Sequence, residues 1–142
     1  MRALLDVNVL IALLDADHIS HDAAVRWFAA NAANGWASCP ITQNGCVRIM
    51  SHPGYPGAPA VSDIVRKLHR ASIERVHEFW PDDVSVLHDQ VIDATHLHGP
   101  RQLTDVYLLA LAVSHGGVLV TFDRSIAIDA VRGATSASLV VL

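Results

Sequence analysis

The residues of this chain whose type and setting could do chemistry are three aspartates, Asp6, Asp105 and Asp123. Each breaks an apolar run rather than sitting in a polar turn. Asp6 follows Ala3-Leu4-Leu5, Asp123 follows Val118-Leu119-Val120-Thr121-Phe122, and Asp105 opens the run from Val106 to Val113. Carboxylates gathered in a desolvated place repel one another, so either protons or a divalent cation must hold them there. An all-oxygen donor set completed by water suits the hard ions Mg²⁺ and Mn²⁺. Such an ion activates a bound water and neutralises the charge developing on a phosphate, which is the chemistry of phosphodiester hydrolysis. The plainer reading of Asp6 is a helix N-cap, a position where Asp is common. The remaining acids, among them Asp15, Asp17, Asp82, Asp83 and Glu78, fall in turns or beside an edge-like strand and are expected at the surface.

The elements that would have to position these carboxylates can be read from periodicity. Residues 2–5 are too short and too apolar for anything but a buried strand, while 7–14 place Val7, Leu10, Ile11 and Leu14 on one helical face. Asp6 then lies at the carboxyl end of a strand, the edge where open α/β sheets bind ligands, and the next helix lends that edge partial positive charge. Ser20 is placed to cap a helix through Ala24, Val25, Trp27, Phe28 and Ala32, which Asn34-Gly35 ends. Trp36 to Cys39 predicts a second strand stopped by Pro40, then a helix from about Thr42 to Met50 carrying Gln43, Asn44 and Arg48.

Ser51 to Pro59, with three prolines and two glycines, predicts an irregular loop. The next amphipathic helix runs through Val61, Ile64, Val65, Leu68 and Ser72, with Arg66, Lys67 and Arg70 on its solvated face. Val76 to Trp80 alternates as a third strand, and Asp82 to Pro100 suggests one or two short helices. Leu103 to Val113 is apolar nearly all round and therefore predicts a central buried helix, ended by Gly116-Gly117. A strand over Val118 to Asp123, a helical stretch around Ile126 to Val131 and a strand over Leu139 to Leu142 complete the chain. Strands alternating with helices predict an α/β three-layer sandwich, a central mainly parallel sheet of four to five strands flanked by helices. A chain of 142 residues is most simply one domain, residues 1–142. If the first strand and the Val118 strand are neighbours, with the central helix packed at their carboxyl ends, the three carboxylates converge.

Composition narrows the function. Hydrophobic residues make up 51% of the chain, but the runs are short and broken by Asp or Asn, so no membrane-spanning segment is expected. Only Arg2 precedes the interruption at Asp6, which fits no signal peptide, and a cytoplasmic location is expected. A net charge of −4 offers no basic footprint for passively coating nucleic acid. It leaves room for a metal-dependent nuclease, whose negative charge is partly a carboxylate cluster. Cys39 and Cys46 match no zinc spacing and predict core fillers, and the nine histidines, including His96 and His98, follow no recognised ligand pattern. No glycine-rich nucleotide fingerprint is present, and the single lysine, Lys67, is far from every motif, which disfavours phosphoaspartate chemistry. The apolar excess suggests a dimer face or a groove for a partner helix.

Four stretches taken in order carry a resemblance over the whole chain. They are Leu5-Asp6-Val7-Asn8-Val9-Leu10, Thr42-Gln43-Asn44-Gly45 with Val47-Arg48-Ile49, Arg101 to Ala112, and Val120-Thr121-Phe122-Asp123-Arg124. Together they resemble PIN domains of the VapC type, the toxin half of a bacterial toxin and antitoxin pair. The resemblance implies a metal-dependent endoribonuclease acting on structured RNA such as tRNA, with Mg²⁺ or Mn²⁺ as cofactor. It also implies a VapB-type antitoxin whose tail enters the site, and a homodimer would suit the apolar excess. By position, Asp6, Asp105 and Asp123 would be metal ligands, Asn8 would brace the site, and Thr121 would orient a carboxylate or the attacking water.

One departure stands out. The family pattern usually places a glutamate on the helix after the second strand, where this chain has Gln43 and its neighbour Asn44. An amide can offer an oxygen to a cation but carries no charge and cannot serve as a general base. Gln43 would therefore make a weak metal ligand, or it simply packs or pairs with backbone. Arg48, Arg101 and Arg124 lie close to the motifs and could meet RNA phosphate bidentately, or could be structural ion-pair partners. The rival to an enzyme is a PIN-like module that binds RNA or a protein partner without cleavage.

Overall fold

A computed structural model describes residues 1–74 and 76–142; Arg75 and the side chain of Glu74 lie outside the described residues. The chain opens with β1 (Ala3–Leu5), α1 (Val7–Leu14), α2 (His21–Asn31), β2 (Trp36–Ser38) and α3 (Pro40–Met50). It continues with α4 (Val61–Glu74), β3 (His77–Phe79), α5 (Leu103–Ser114), β4 (Val118–Thr121) and β5 (Leu139–Val141). The five strands form one sheet in the order β3-β2-β1-β4-β5, and every pairing is parallel. Leu4 of β1 lies opposite Ala37 of β2 on one side and Leu119 of β4 on the other. The sheet is thus wholly rather than mainly parallel, and the first strand and the Val118 strand are neighbours.

Side-chain alternation divides the core into two layers. Leu4, Ala37 and Leu119 pack with Leu108, Leu109 and Leu111 of α5, whereas Leu5 and Val120 pack on the other face with Val9 and Leu10 of α1, Cys46 of α3 and Ile64 of α4. Because β1 is covered on both faces, its three residues read as an unbroken apolar run. Cys39 and Cys46 are buried, unbridged fillers of these two layers. Among the described residues no helix is long and apolar enough to cross a membrane.

Several boundaries differ from the sequence reading for identifiable reasons. Pro40 starts α3 instead of separating strand from helix, since proline at the first helical position gives up only an N–H that has no helical partner. Ser20 occupies the cap position of α2, but its side chain caps nothing. Between β3 and α5 there are only single 3₁₀ turns, at Ala94–His96 and Pro100–Gln102, rather than short helices. Ser85 Oγ accepts from Leu87 N and Asp93 Oδ1 from Thr95 N, local bonds that compete with helix. Val84, Val86, Val91 and Leu97 nonetheless pack against the α5 layer.

The expected helix at 126–131 is likewise one turn, Ile128–Ala130. Its backbone is used elsewhere: Asp93 N donates to Ala130 O and Arg132 N to Val91 O. β4 stops at Thr121, which leaves Asp123 in the turn beyond it.

One close approach fixes the layer that carries the site. A Cβ on Gly45 of α3 would stand 2.8 Å from Val7 Cγ2 of α1, so only glycine lets these helices lie together. Val7 is β-branched within a helix and has little rotamer freedom to give way. Gly45→Ala should therefore cost about 1–3 kcal/mol, read as a lower denaturant midpoint at unchanged slope.

Candidate active site

The site grows from the end of β1. Asp6 is the first residue past the strand, and its extended backbone (φ −64°, ψ 159°) caps α1. Oδ1 accepts from Val7 N at 2.7 Å, and Oδ2 accepts from Thr121 Oγ1 at 2.6 Å. The cap and the site are therefore the same carboxylate. Only 6% of Asp6 is exposed. Burial, opposed by these two hydrogen bonds and reinforced by the charge of Asp123, holds its pKa above the ordinary carboxylate value.

Thr121, the last residue of β4 and fully buried, is the hub. Its hydroxyl donates to Asp6 and accepts from Asn8 Nδ2 at 3.3 Å and from Asp123 N at 3.0 Å. One donor and two lone pairs are then all spent, so this hydroxyl orients a carboxylate and has nothing left for an attacking water. Asn8, in the first turn of α1, spans the same junction, its Oδ1 accepting from Phe122 N at 3.4 Å. Residues on β1, α1 and β4 are thereby locked around Asp6 through parallel neighbours.

Asp105, from the first turn of α5, hydrogen-bonds Asp123 across the edge of the sheet. Burial, the charges of Asp6 and Asp123, and that hydrogen bond push Asp105 up to about 6. Asp123 moves the other way because Ser125 Oγ (2.6 Å) and Ser125 N (2.7 Å) both donate to its Oδ1. The two carboxyls thus shift in opposite directions, and Asp105 is the one of the pair that takes up a proton first as pH falls. Asp6 is buried, but Asp105 and Asp123 are half-buried and line an open pocket of about 200 Å³ with Arg101, Gln102 and Ser125. The sequence reading had all three aspartates buried; the opening at two of them gives a substrate access.

Arg101 is the one of the three candidate arginines that lines this pocket. Arg48 and Arg124 are exposed, and none of the three makes an ion pair among the described residues. Gln43 lines a different depression, where its Nε2 donates to Ser38 Oγ at 2.9 Å, and Ser38 Oγ in turn meets His77 Nε2 at 2.8 Å. That hydrogen bond, not a carboxylate neighbour, is what the amide holds. Three residues were missed in the sequence, Ser125, Ser38 and His77. Ser125 could have been found from the Asp-x-Ser spacing, in which a carboxylate accepts from the backbone two residues on. The Ser38–His77 contact spans 39 residues and leaves no local trace.

The donor set suits a hard divalent cation in its chemistry: three carboxylates, no nitrogen or sulfur, and a mutual repulsion that a cation would relieve. Convergence is looser than the sequence predicted, since among the described residues no three acidic, histidine or cysteine side chains form a ready grip for an ion. Asp6 and Asp123 instead spend oxygens on Val7, Thr121 and Ser125. Mg²⁺ commonly takes only one or two carboxylates directly and fills its other positions with water and substrate phosphate, so a prebuilt cage is not required.

An all-parallel sheet with paired aspartates at its carboxyl edge defines a class of α/β protein whose chemistry sits at the ends of adjacent strands. The family model for the PIN domain matches residues 3–132. Ribonuclease VapC44 of Mycobacterium tuberculosis is 56% identical over 142 residues, all of both chains. Ribonuclease VapC39 of the same organism is 43% identical over 136 residues, 94% of this chain and 96% of the relative. In fold, the chain is similar to VapBC2 from Rickettsia felis, solved bound to a DNA fragment from its promoter. The TM-score is 0.58 at 15% identity, over 100% of this chain and 98% of that one. The chain belongs to the PIN domain family, in its VapC-type branch.

Proposed function

We propose that this chain is a metal-dependent endoribonuclease, the toxin of a toxin and antitoxin pair, cutting RNA phosphodiester bonds at Asp6, Asp105 and Asp123. The observation that carries the reading is the Asp105–Asp123 pair, whose carboxyls line one open pocket with Arg101 and lie close enough to Asp6 for its charge to act on Asp105. The ribonuclease names of relatives matched over nearly the whole chain support it. A bound Mg²⁺ or Mn²⁺ would supply an activated water and neutralise phosphate charge. Of the chain's own residues, Thr121 and Asn8 aim the Asp6 carboxylate, Ser125 keeps Asp123 ionised, and Arg101 is placed to hold a phosphate. Structured RNA such as tRNA, a VapB-type antitoxin, a homodimer and a cytoplasmic setting belong to the same reading. The VapB partner is supported by the likeness in fold to VapBC2 from Rickettsia felis.

A second reading, binding without cleavage, is favoured by one observation: an uncharged Gln43 tied to Ser38 stands where a glutamate is usual. Incubation of the purified chain with tRNA and other structured RNA separates the two. The enzyme cuts with Mn²⁺ or Mg²⁺ and stops on addition of a chelator; a binder shows no cleavage to lose. In parallel, saturating metal should raise the unfolding midpoint, since a ligand of the folded state stabilises it by RT ln(1 + [L]/Kd). A midpoint unmoved by either ion would remove the metal site and the enzyme with it.

A further inference from the structure

One strand over from the carboxylates lies a second concavity that cleavage does not use. Leu4 pairs with Ala37, so Ser38 at the end of β2 stands beside Leu5, one residue before Asp6. Neighbouring strands are roughly 4.8 Å apart. From Ser38 a cleft of about 300 Å³ opens between α3 and α4, which is the small end of the range for ligand sites.

Trp36, Val47 and Leu68 line its apolar part, and Gln43, Asn44 and His69 its polar part; no carboxylate, lysine or arginine does so among the described residues. Ser38 and Ser72 spend their hydroxyls within the protein, but the amides keep hydrogen-bonding capacity to spare. Trp36 is 4% exposed, its ring packed against His77 and Phe28, and its buried Nε1 has no partner among the described residues. Gln43 uses its Nε2 on Ser38, and among the described residues its Oε1 and the exposed Asn44 amide make no side-chain hydrogen bond. Neutral walls with an indole and two paired donor–acceptor amides suit a flat, uncharged ring that carries donors and acceptors on its edge. They do not suit a charged peptide side chain.

We propose that this cleft is a nucleobase subsite: it takes the base of a nucleotide adjacent to the scissile phosphodiester and reads its edge with the amides of Asn44 and Gln43. The ring would lie against Trp36 and Leu68. Side-chain amides read bases bidentately, and sequence-specific RNA recognition works on unstacked bases presented in this way. Arg48, one helical turn beyond Asn44 and exposed, is free to meet the sugar–phosphate chain, a contact that positions without specifying. Gly45 holds α3 against Val7 of α1, the helix that also carries Asn8. The base site and the carboxylates are thus fixed in one frame. The inference rests on the RNA-cleavage reading for what brings a base to the cleft, but its first test does not need cleavage.

That test is titration of the metal-free, ¹⁵N-labelled chain with AMP, GMP, CMP and UMP, and with ribose 5-phosphate as the control. At least one nucleotide should move the Trp36 indole N–H and the Asn44 and Gln43 side-chain amide resonances, and ribose 5-phosphate should not. Asn44→Ala should weaken that nucleotide about 5-fold or more, the low end of a bidentate contact. It should also flatten the preference for the base beside the cut in a sequence-randomised RNA. That readout is a ratio between sequences and so does not depend on total rate. Asn44 is exposed on a helix, where alanine is a better helix former, so the variant should fold.

The proposal is overturned if no nucleotide moves these resonances, or if ribose 5-phosphate moves them equally. It is also overturned if cleavage persists with an unchanged base profile in Asn44→Ala, and a protein partner's side chain then becomes the occupant to consider. Base-dependent shifts in a chain that cuts no RNA would keep the subsite and remove the nuclease reading instead.

Discussion

Asp105→Asn should abolish the stabilisation given by Mn²⁺ or Mg²⁺ and, in the same protein, raise the melting temperature measured in chelator. The two effects share a cause. Asp105 is pushed up to about 6 by burial and by the charges of Asp6 and Asp123, so keeping it ionised at neutral pH costs the metal-free fold free energy. In the unfolded chain the same group titrates near 3.8. Between about 4 and about 6 the folded state therefore binds the proton that the unfolded state has lost, and stability without metal falls as pH rises through that window. Below the window both states are protonated and the penalty is absent; above it the full penalty remains.

One pKa unit is worth about 1.4 kcal/mol, so with partial solvent screening the neutral asparagine should gain on the order of 1–2 kcal/mol, or several degrees. Its amide can still donate to Asp123. RNA cleavage should fall further than the ~10–100-fold that changes around a metal ligand usually cost. Calorimetry of both proteins at pH 4.5 and pH 7.5, in chelator and in Mn²⁺, checks all of this. If the variant is less stable than the native chain in chelator at pH 7.5, the carboxylate repulsion assigned to this site is wrong.

That an aspartate should be both costly and retained is the sort of local conflict by which a site shows itself in a sequence. Asp6, Asp105 and Asp123 stood out because each interrupts an apolar run, and apolar runs are what β1, β4 and α5 are made of. The same runs gave the sheet, since strands buried on both faces are continuous in sequence. Where the chain departs from periodicity, reading by pattern fails. Residues 81–102 pack their apolar side chains under irregular backbone held by Ser85 and Asp93, so a helical count of hydrophobic residues was misleading there. Pro40 could be a stop or a start on local grounds alone, and only the parallel crossover from β2 makes it a start. The role of Gln43 was hidden for another reason. Its partner Ser38 is near in sequence, but what makes that pair a cleft wall is His77 on a neighbouring strand and α4 above it.

Thr121→Val should be the most disruptive single change near the site, although it preserves shape. Valine fills the same volume but strips out a hydroxyl on which three groups depend: Asp6 Oδ2, Asn8 Nδ2 and Asp123 N. A buried polar group left unpaired costs about 1–3 kcal/mol. Thr121 is fully buried, so water cannot replace it, and a total near 3 kcal/mol or more is expected. Thr121→Ser keeps every bond and loses one methyl, worth roughly 1 kcal/mol.

The functional effect follows from the sign of the shift at Asp6. Burial holds that pKa up and the Thr121 hydroxyl pulls it down, so removing the hydroxyl raises it further. A proton then competes with metal at higher pH. The acid limb of the cleavage profile, and the pH at which Mn²⁺ ceases to stabilise the fold, should both move upward in Thr121→Val and stay in place in Thr121→Ser. A purely structural role for Thr121 would lower stability in the valine variant and leave the acid limb where it was, so the pH profile, not the melting temperature, decides between them.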